Sequence, residues 1–198
     1  MLLQEELGLE VNDKKCMVGI VSRLTDQKGL DLVECVIEQI CAENLQLVIL
    51  GTGEQRYENL FRHYEWKYKD RVSSSIYYNN ERSHKIYASC DAFLMPSMFE
   101  PCGLSQMIAL RYGTIPVVRE VGGLKDSVFD SADNYGNGFT FRNYDIADMC
   151  NAVKRALAGI YDNEGWHQLM WRAMMSDNSW ERSAQDYINV YEDTMNWL

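Results

Sequence analysis

Short apolar runs alternate with helical patterns along most of this 198-residue chain, and that alternation restricts the fold more than any other feature. The runs fall at Cys16–Val21, Leu45–Leu50, 72–78, Ala92–Met95, Ile115–Arg119 and 138–141. They are brief and near-continuously apolar, as parallel strands covered on both faces are. The third run, with three serines, shows the pattern least clearly. Between the first two, Leu30, Val33, Ile37, Ile40 and Cys41 recur at helical spacing, and the other intervals leave room for crossover helices. The expectation is an α/β, Rossmann-like domain of three layers around a parallel sheet of six strands.

The last third changes character. Helical patterns dominate from Asp145 onward, with Ala147, Val153, Ala156 and Leu157 forming part of one apolar face. Ser179 can cap a terminal helix whose apolar face is Trp180, Ala184, Tyr187, Ile188 and Tyr191. No repeat, low-complexity tract or linker divides residues 1–198, so they read as one domain with a helical C-terminal layer.

A net charge of −10 argues against a broad nucleic-acid or anionic-membrane surface. It leaves room for a small anionic ligand, because a few convergent cations act locally while distant exposed charges are screened. No apolar run reaches the length of a membrane span, and the start of the chain lacks the basic region of a signal peptide. The expected compartment is the cytoplasm. Cys16, Cys35, Cys41, Cys90, Cys102 and Cys150 form no Cys-x-x-Cys pair, and several sit inside apolar patterns, as buried thiols do. His63, His84 and His167 are scattered, and neither a metal nor a cofactor is expected.

Chemistry-bearing residues gather where strands end. Residues 22–29 (Ser-Arg-Leu-Thr-Asp-Gln-Lys-Gly) follow the first strand and project from the carboxyl edge of the sheet, the edge that binds ligands in this architecture. Arg23 can grip two phosphate oxygens at once and Lys28 supplies a compact charge; the competing view is a solvated loop with surface ion pairs. Gly51 and Gly53 end the second strand as a ligand contact or a plain tight turn. Tyr77 and Tyr78 end the third, where a ring stacks on a nucleobase or packs on the rim.

After the fourth strand come residues 99–106 (Phe-Glu-Pro-Cys-Gly-Leu-Ser-Gln). A small-residue segment opening a helix there offers unpaired N–H groups and a positive dipole end to an anion. Glu100 can accept hydrogen bonds from sugar hydroxyls and stabilise charge developing at an anomeric carbon, or serve only as a loop acid. Cys102 near a helix N-terminus favours its thiolate. Gly122 and Gly123 after the fifth strand allow close backbone approach to a ligand, or meet a need of turn geometry alone.

Taken together these segments resemble the bacterial glycogen synthase and plant starch synthase family of retaining glucosyltransferases. The likeness lies in residues 22–31 and 99–106, in 111–119 (Arg-Tyr-Gly-Thr-Ile-Pro-Val-Val-Arg), in Gly122, Gly123 and Leu124, and in 138–141 (Gly-Phe-Thr-Phe). Residues 179–184 look like the start of that family's terminal helix. The resemblance implies the C-terminal, donor-binding half of a GT-B fold, two Rossmann-like domains facing across a cleft. It implies ADP-glucose as donor and an α-1,4-glucan as acceptor, without a metal. Arg23 and Lys28 would hold the diphosphate and stabilise departing ADP. The helix beginning near Cys102 would present its N–H groups, from Cys102, Gly103 and Leu104, with the Ser105 hydroxyl. Tyr78 would border the adenine and Glu100 would orient the glucose, while Ser22, Gly122 and Gly123 complete the donor set.

Many related retaining transferases carry a second glutamate eight residues after the first; here that position is Ile108, as is common in ADP-glucose users. The family's N-terminal domain, with its Lys-x-Gly-Gly-Leu motif, is not within these residues. The chain alone is therefore expected to bind ADP weakly and turn over negligibly. Tyr191, Met195, Trp197 and Leu198 would then lack an apolar partner, giving fraying or self-association. A donor half using UDP-glucose or another sugar nucleotide, or a non-catalytic nucleotide- or glucan-binding module, is the alternative. A plant origin would move the compartment to the plastid.

Overall fold

The computed structural model describes residues 1–42, 45–133 and 135–197. Six strands form one sheet: β1 (Cys16–Val21), β2 (Leu45–Leu50), β3 (Val72–Ser75), β4 (Ala92–Met95), β5 (Ile115–Arg119) and β6 (Phe139–Phe141). Every pairing is parallel and the order is β3-β2-β1-β4-β5-β6. The chain winds outward from β1 to β3, then returns to lay β4 on the other side of β1, with Val18 opposite Ala92 and Gly19 opposite Phe93. Between β1 and β4 the winding reverses, so the loops leaving their carboxyl ends diverge and open a crevice.

The nine helices among the described residues are α1 (Leu2–Glu6), α2 (Leu30–Ala42), α3 (Gln55–Lys67), α4 (Asn80–Ser89), α5 (Ser105–Tyr112), α6 (Gly123–Ser127), α7 (Ile146–Ile160), α8 (Asn163–Met174) and α9 (Trp180–Asn196). Side chains alternate along each strand, so each sheet face has its own core. Val18 and Ile20 join the cluster built with Val33 and Ile37 of α2, Tyr57 and Phe61 of α3, Ala152 and Ala156 of α7, and Leu169 of α8. Met17, Phe93 and Val118 point the other way, into clusters with Leu3 of α1, Ile86 and Tyr87 of α4, Ala109 of α5 and Leu124 of α6. A Cβ on Gly19 would stand 2.9 Å from Ile86 Cγ2 and 3.0 Å from Cys90 Sγ, so the glycine lets α4 lie directly on β1.

Several boundaries differ from the sequence pattern. The third strand ends at Ser75, not at residue 78: the Tyr77 N–H turns back to the Ser75 carbonyl, and Asn79 caps α4 by accepting from the Arg82 N–H. The sixth begins at Phe139 because Gly138 makes only an isolated bridge to Asp130. Ala147 is exposed; the buried face of α7 is Met149, Ala152 and Ala156, with Val153 and Leu157 partly covered. Cys16, Cys41 and Cys90 are buried, Cys150 is half-buried, and Cys35 and Cys102 are exposed; all are free thiols. The Ser179 cap of α9 forms, accepting from the Arg182 N–H, yet α9 buries none of its residues. Its apolar residues Tyr187, Ile188, Tyr191 and Met195 face solvent, as does Trp197; Leu198 lies outside the described residues. No helix among the described residues is long and apolar enough to cross a membrane.

The edge strand β6 is fastened from beside the sheet. Arg155 of α7 grips Asp130 through Nη1 at 2.8 Å and Nη2 at 3.0 Å, and donates to the Thr140 carbonyl at 2.7 Å. Burial alone would raise the Asp130 carboxyl; Arg155 and the Thr140 and Ala132 amides outweigh it and hold the pKa below its ordinary 3.8. A depressed carboxyl stabilises the fold above its unfolded pKa and ceases to do so as pH falls through the folded one. Wild type is therefore expected to exceed Arg155→Met in unfolding free energy at pH 6, with the gap closing below about pH 4. Urea titrations across that range read this out, and a pH-independent gap would contradict it.

Candidate active site at the sheet's switch point

The loop after β1 is a rigid platform. Leu24 is fully buried and pairs with the turn after β2: its N–H donates to Thr52 O at 2.9 Å, and its carbonyl accepts from the Glu54 N–H at 2.7 Å. A Cβ on Gly51 would lie 1.8 Å from Ser22 O, and one on Gly53 2.3 Å from Leu24 O. The two glycines are thus explained by backbone approach to this loop. From Thr25 the chain makes one 3-10 turn over Asp26–Lys28, stabilised by the Tyr57 hydroxyl donating to Asp26. It leaves that turn through Gly29 at φ +71°, whose missing Cβ would sit 2.0 Å from Pro96 O. That contact brings Lys28 against the loop leaving β4.

There the carboxylate waits. Glu100 is 6% exposed, and its Oε2 accepts from Lys28 Nζ at 2.5 Å and from Ser97 Oγ at 3.2 Å. An unpaired carboxylate at this depth would be strongly disfavoured; a cation and a hydroxyl make it tolerable. The backbone reinforces the joint, with the Met98 N–H donating to Gln27 O at 2.9 Å and Gln27 Nε2 to Phe99 O at 3.3 Å. Arg23 is exposed beside it, with Nη2 3.4 Å from Gln27 Oε1.

The turn after β5 closes the third side. Gly122 adopts φ +48°, and a Cβ there would be 2.2 Å from Glu100 O. The next N–H, of Gly123, donates to that same carbonyl at 3.0 Å. Gly103 is buried with room for no side chain, since a Cβ would meet Gln106 Oε1 at 2.5 Å and Glu100 Cγ at 3.1 Å. These glycines therefore hold the Glu100 turn in place by geometry, whatever ligand they also approach.

Helix α5 starts at Ser105, so Cys102, Gly103 and Leu104 precede it, correcting a helix beginning near Cys102. Leu104 gives no side-chain cap and the first turn carries no acid. Its first N–H groups thus lack a side-chain partner and sit at the positive end of the dipole, an arrangement suited to an anion.

Ser22, Arg23, Lys28, Glu100, Cys102, Gly103, Leu104, Ser105, Gly122 and Gly123 thus meet on loops at one edge of the sheet. Tyr78 does not join them: it is 88% exposed beyond β3 and makes no hydrogen bond or ring contact among the described residues. Sequence reading missed Ser97, Gln27 and Arg119. Arg119 Nη1 donates to Met98 O at 3.2 Å, a contact for which its place at the end of the fifth apolar run gave no signal. Among the described residues no cluster of three His, Cys, Asp or Glu side chains could hold a metal ion.

A doubly wound parallel sheet whose reversal point gathers two cations, a buried carboxylate and an uncapped helix start is the design of a GT-B glycosyltransferase half. Residues 6–164 match the model of the family described as Glycosyl transferases group 1, and the chain belongs to that family. It is 57% identical over 192 residues to a glycogen synthase of Lachnospira eligens, covering 96% of this chain and 40% of that protein. It is 49% identical over 195 residues to a glycogen synthase of Clostridium novyi, covering 98% of this chain and 41% of that one. The catalytic domain of starch synthase IV from Arabidopsis thaliana, solved with ADP and acarbose, superposes with a TM-score of 0.88 at 38% identity, over 98% of this chain and 42% of that one. The chain thus spans about 40% of the length of the relatives it matches.

Gly122→Ala would meet both backbone strain and a blocked approach, whereas Gly8, at φ +70°, has open space around a new Cβ. Gly8→Ala is expected to cost about 1 kcal/mol and Gly122→Ala about 3 kcal/mol or more in chemical denaturation. Equal losses would mean that the Glu100 turn is not held by this contact.

Proposed function

We propose that this chain is the donor-binding part of a glycogen synthase that transfers glucose from ADP-glucose to the non-reducing end of an α-1,4-glucan with retention. The observation that carries the reading is the buried Lys28–Glu100 pair at the mouth of the switch-point crevice, beside Arg23 and the uncapped start of α5. It is supported by the glycogen synthases matched over nearly the whole chain, and by a similar starch synthase solved with ADP.

In this reading the diphosphate lies across the start of α5, where the N–H groups of the 102–105 segment and the helix dipole favour negative charge. Arg23 and Lys28 approach the same oxygens. As the glycosidic bond to ADP lengthens, negative charge grows on the leaving phosphate, and these cations hold it more strongly than they hold the ground state. Glu100, two residues beyond the fixed Met98 backbone, accepts from glucose hydroxyls and faces the positive charge developing at the anomeric carbon. Gly122 and Gly123 let the backbone approach the sugar without a side chain between, and Ser22 borders the phosphates. Tyr78, unpartnered and exposed, offers its ring face to the adenine.

Acceptor binding and closure belong to the remainder of the enzyme, so the chain alone binds ADP and turns over negligibly. The exposed apolar face of α9 is covered there, and self-association through it is confined to the separated chain. The curated relatives of Lachnospira and Clostridium favour a bacterial cytoplasm over a plastid. The solved neighbours carrying UDP are about 20% identical and support the fold alone.

Calorimetric titration with ADP and with UDP tests the reading. ADP is expected to bind more tightly, and Lys28→Ala to weaken it at least about tenfold. Equal or tighter UDP binding would overturn the donor assignment; unchanged ADP binding by Lys28→Ala would overturn the phosphate site.

A further inference from the structure

Arg119 closes β5 at the edge that carries the site, and its side chain is placed in an unusual way. Its Nη1 donates to Met98 O at 3.2 Å, and its guanidinium carbon lies 5.4 Å from the centre of the Tyr144 ring. The Tyr144 hydroxyl in turn donates to Asp31 in the first turn of α2. The Nε atom is buried and has no hydrogen-bond partner among the described residues. An arginine placed to satisfy its own donors would take a carboxylate in a fork. The neighbouring acid, Glu120, is occupied instead by Thr140 Oγ1 at 2.7 Å and Arg142 Nε at 3.1 Å. Buried orphan donors are rare, and one kept beside a functional turn marks a constraint other than stability.

That constraint is the Met98 backbone, on both sides of its Cα. Its N–H is held by Gln27 O at 2.9 Å, from the loop that carries Lys28, and its carbonyl is held by Arg119 from the opposite side. Ser97 and Glu100, one residue before and two after, meet at Glu100 Oε2. We infer that Arg119, braced by Tyr144 and Asp31, is a positioning residue for the transfer step: it fixes the Met98 backbone so that the Glu100 carboxylate is aimed at the reacting sugar. In the donor placement proposed above the phosphates are held by Arg23, Lys28 and the start of α5, so Arg119, engaged with Met98 O and Tyr144, is expected to act on turnover and not on donor affinity. The inference rests on the glucosyl-transfer reading given above.

In the intact enzyme, Arg119→Met is expected to lower kcat by about 10- to 100-fold, the loss that a displaced catalytic group produces. KM for ADP-glucose and Kd for ADP stay within about threefold, because Arg23, Lys28 and α5 are untouched. Arg119→Lys keeps one donor but not the guanidinium over the Tyr144 ring, and regains part of the lost kcat. Tyr144→Phe, which removes only the hydroxyl link to Asp31, lowers kcat by about threefold or more at unchanged KM and carries the test where Arg119→Met does not fold. An unchanged kcat in a folded variant overturns the inference, as does a rise in Kd for ADP that matches the loss in kcat. Wild-type enzyme that transfers no glucose from ADP-glucose removes the underlying reading and this inference with it. An active wild type with an indifferent Arg119→Met removes this inference alone.

Discussion

The site depends on one buried ion pair. Lys28 and Glu100 belong to loops 72 residues apart in sequence, and both side chains are largely shielded from water. Such a pair is a weak source of stability, because withdrawing two charges from water offsets most of their attraction. What it supplies is position: it ties the loop after β1 to the loop after β4 across the crevice. Ser97 fills a further acceptor site on the same oxygen. In the proposed function, a donor phosphate entering between Arg23 and the start of α5 would meet a lysine already held in place.

The sheet makes the joint possible and backbone closeness completes it. Parallel order with a reversal between β1 and β4 puts two carboxyl-end loops side by side. Gly29 then allows the first loop to press on Pro96 O, and Gly122 allows the third to press on Glu100 O. Side chains at either position would push the loops apart by more than a hydrogen bond can span. The same economy is seen at Met98, whose N–H and carbonyl are both engaged by neighbouring loops. The electrostatics of the crevice thus rest on close backbone approaches that the glycines of its own loops permit.

The sequence made the sheet legible because six short apolar runs have one sensible arrangement when helical patterns separate them. Strand ends were less legible: Ile76, Tyr77 and Tyr78 extend the apolar pattern, but the Asn79 cap stops the strand at Ser75. Ala147 was grouped with the apolar face of α7, but at 3.6 residues per turn it falls on the side of the helix opposite Ala156 and is exposed. Arg23, Lys28 and Glu100 were visible as charged residues in loops at strand ends. Arg119 was not, since an arginine ending a strand carries no mark of the carbonyl it will hold. The glycines were visible, but their reason was not, because a close approach between distant backbones has no local signature. The helical C-terminal layer was legible: α7 and α8 pack on the sheet, and α9, whose last apolar residues were expected to lack a partner, presents its capped length to solvent.

A double-mutant cycle on unfolding free energy, with Lys28→Met, Glu100→Gln and the pair together, tests the central claim most directly. Each single change leaves a buried partner uncompensated and should cost about 3 kcal/mol, while the double variant should cost clearly less than their sum, a coupling of about 2 kcal/mol or more. Additive losses, with coupling under about 0.5 kcal/mol, would mean that the two groups do not depend on each other and that the site is assembled by something else.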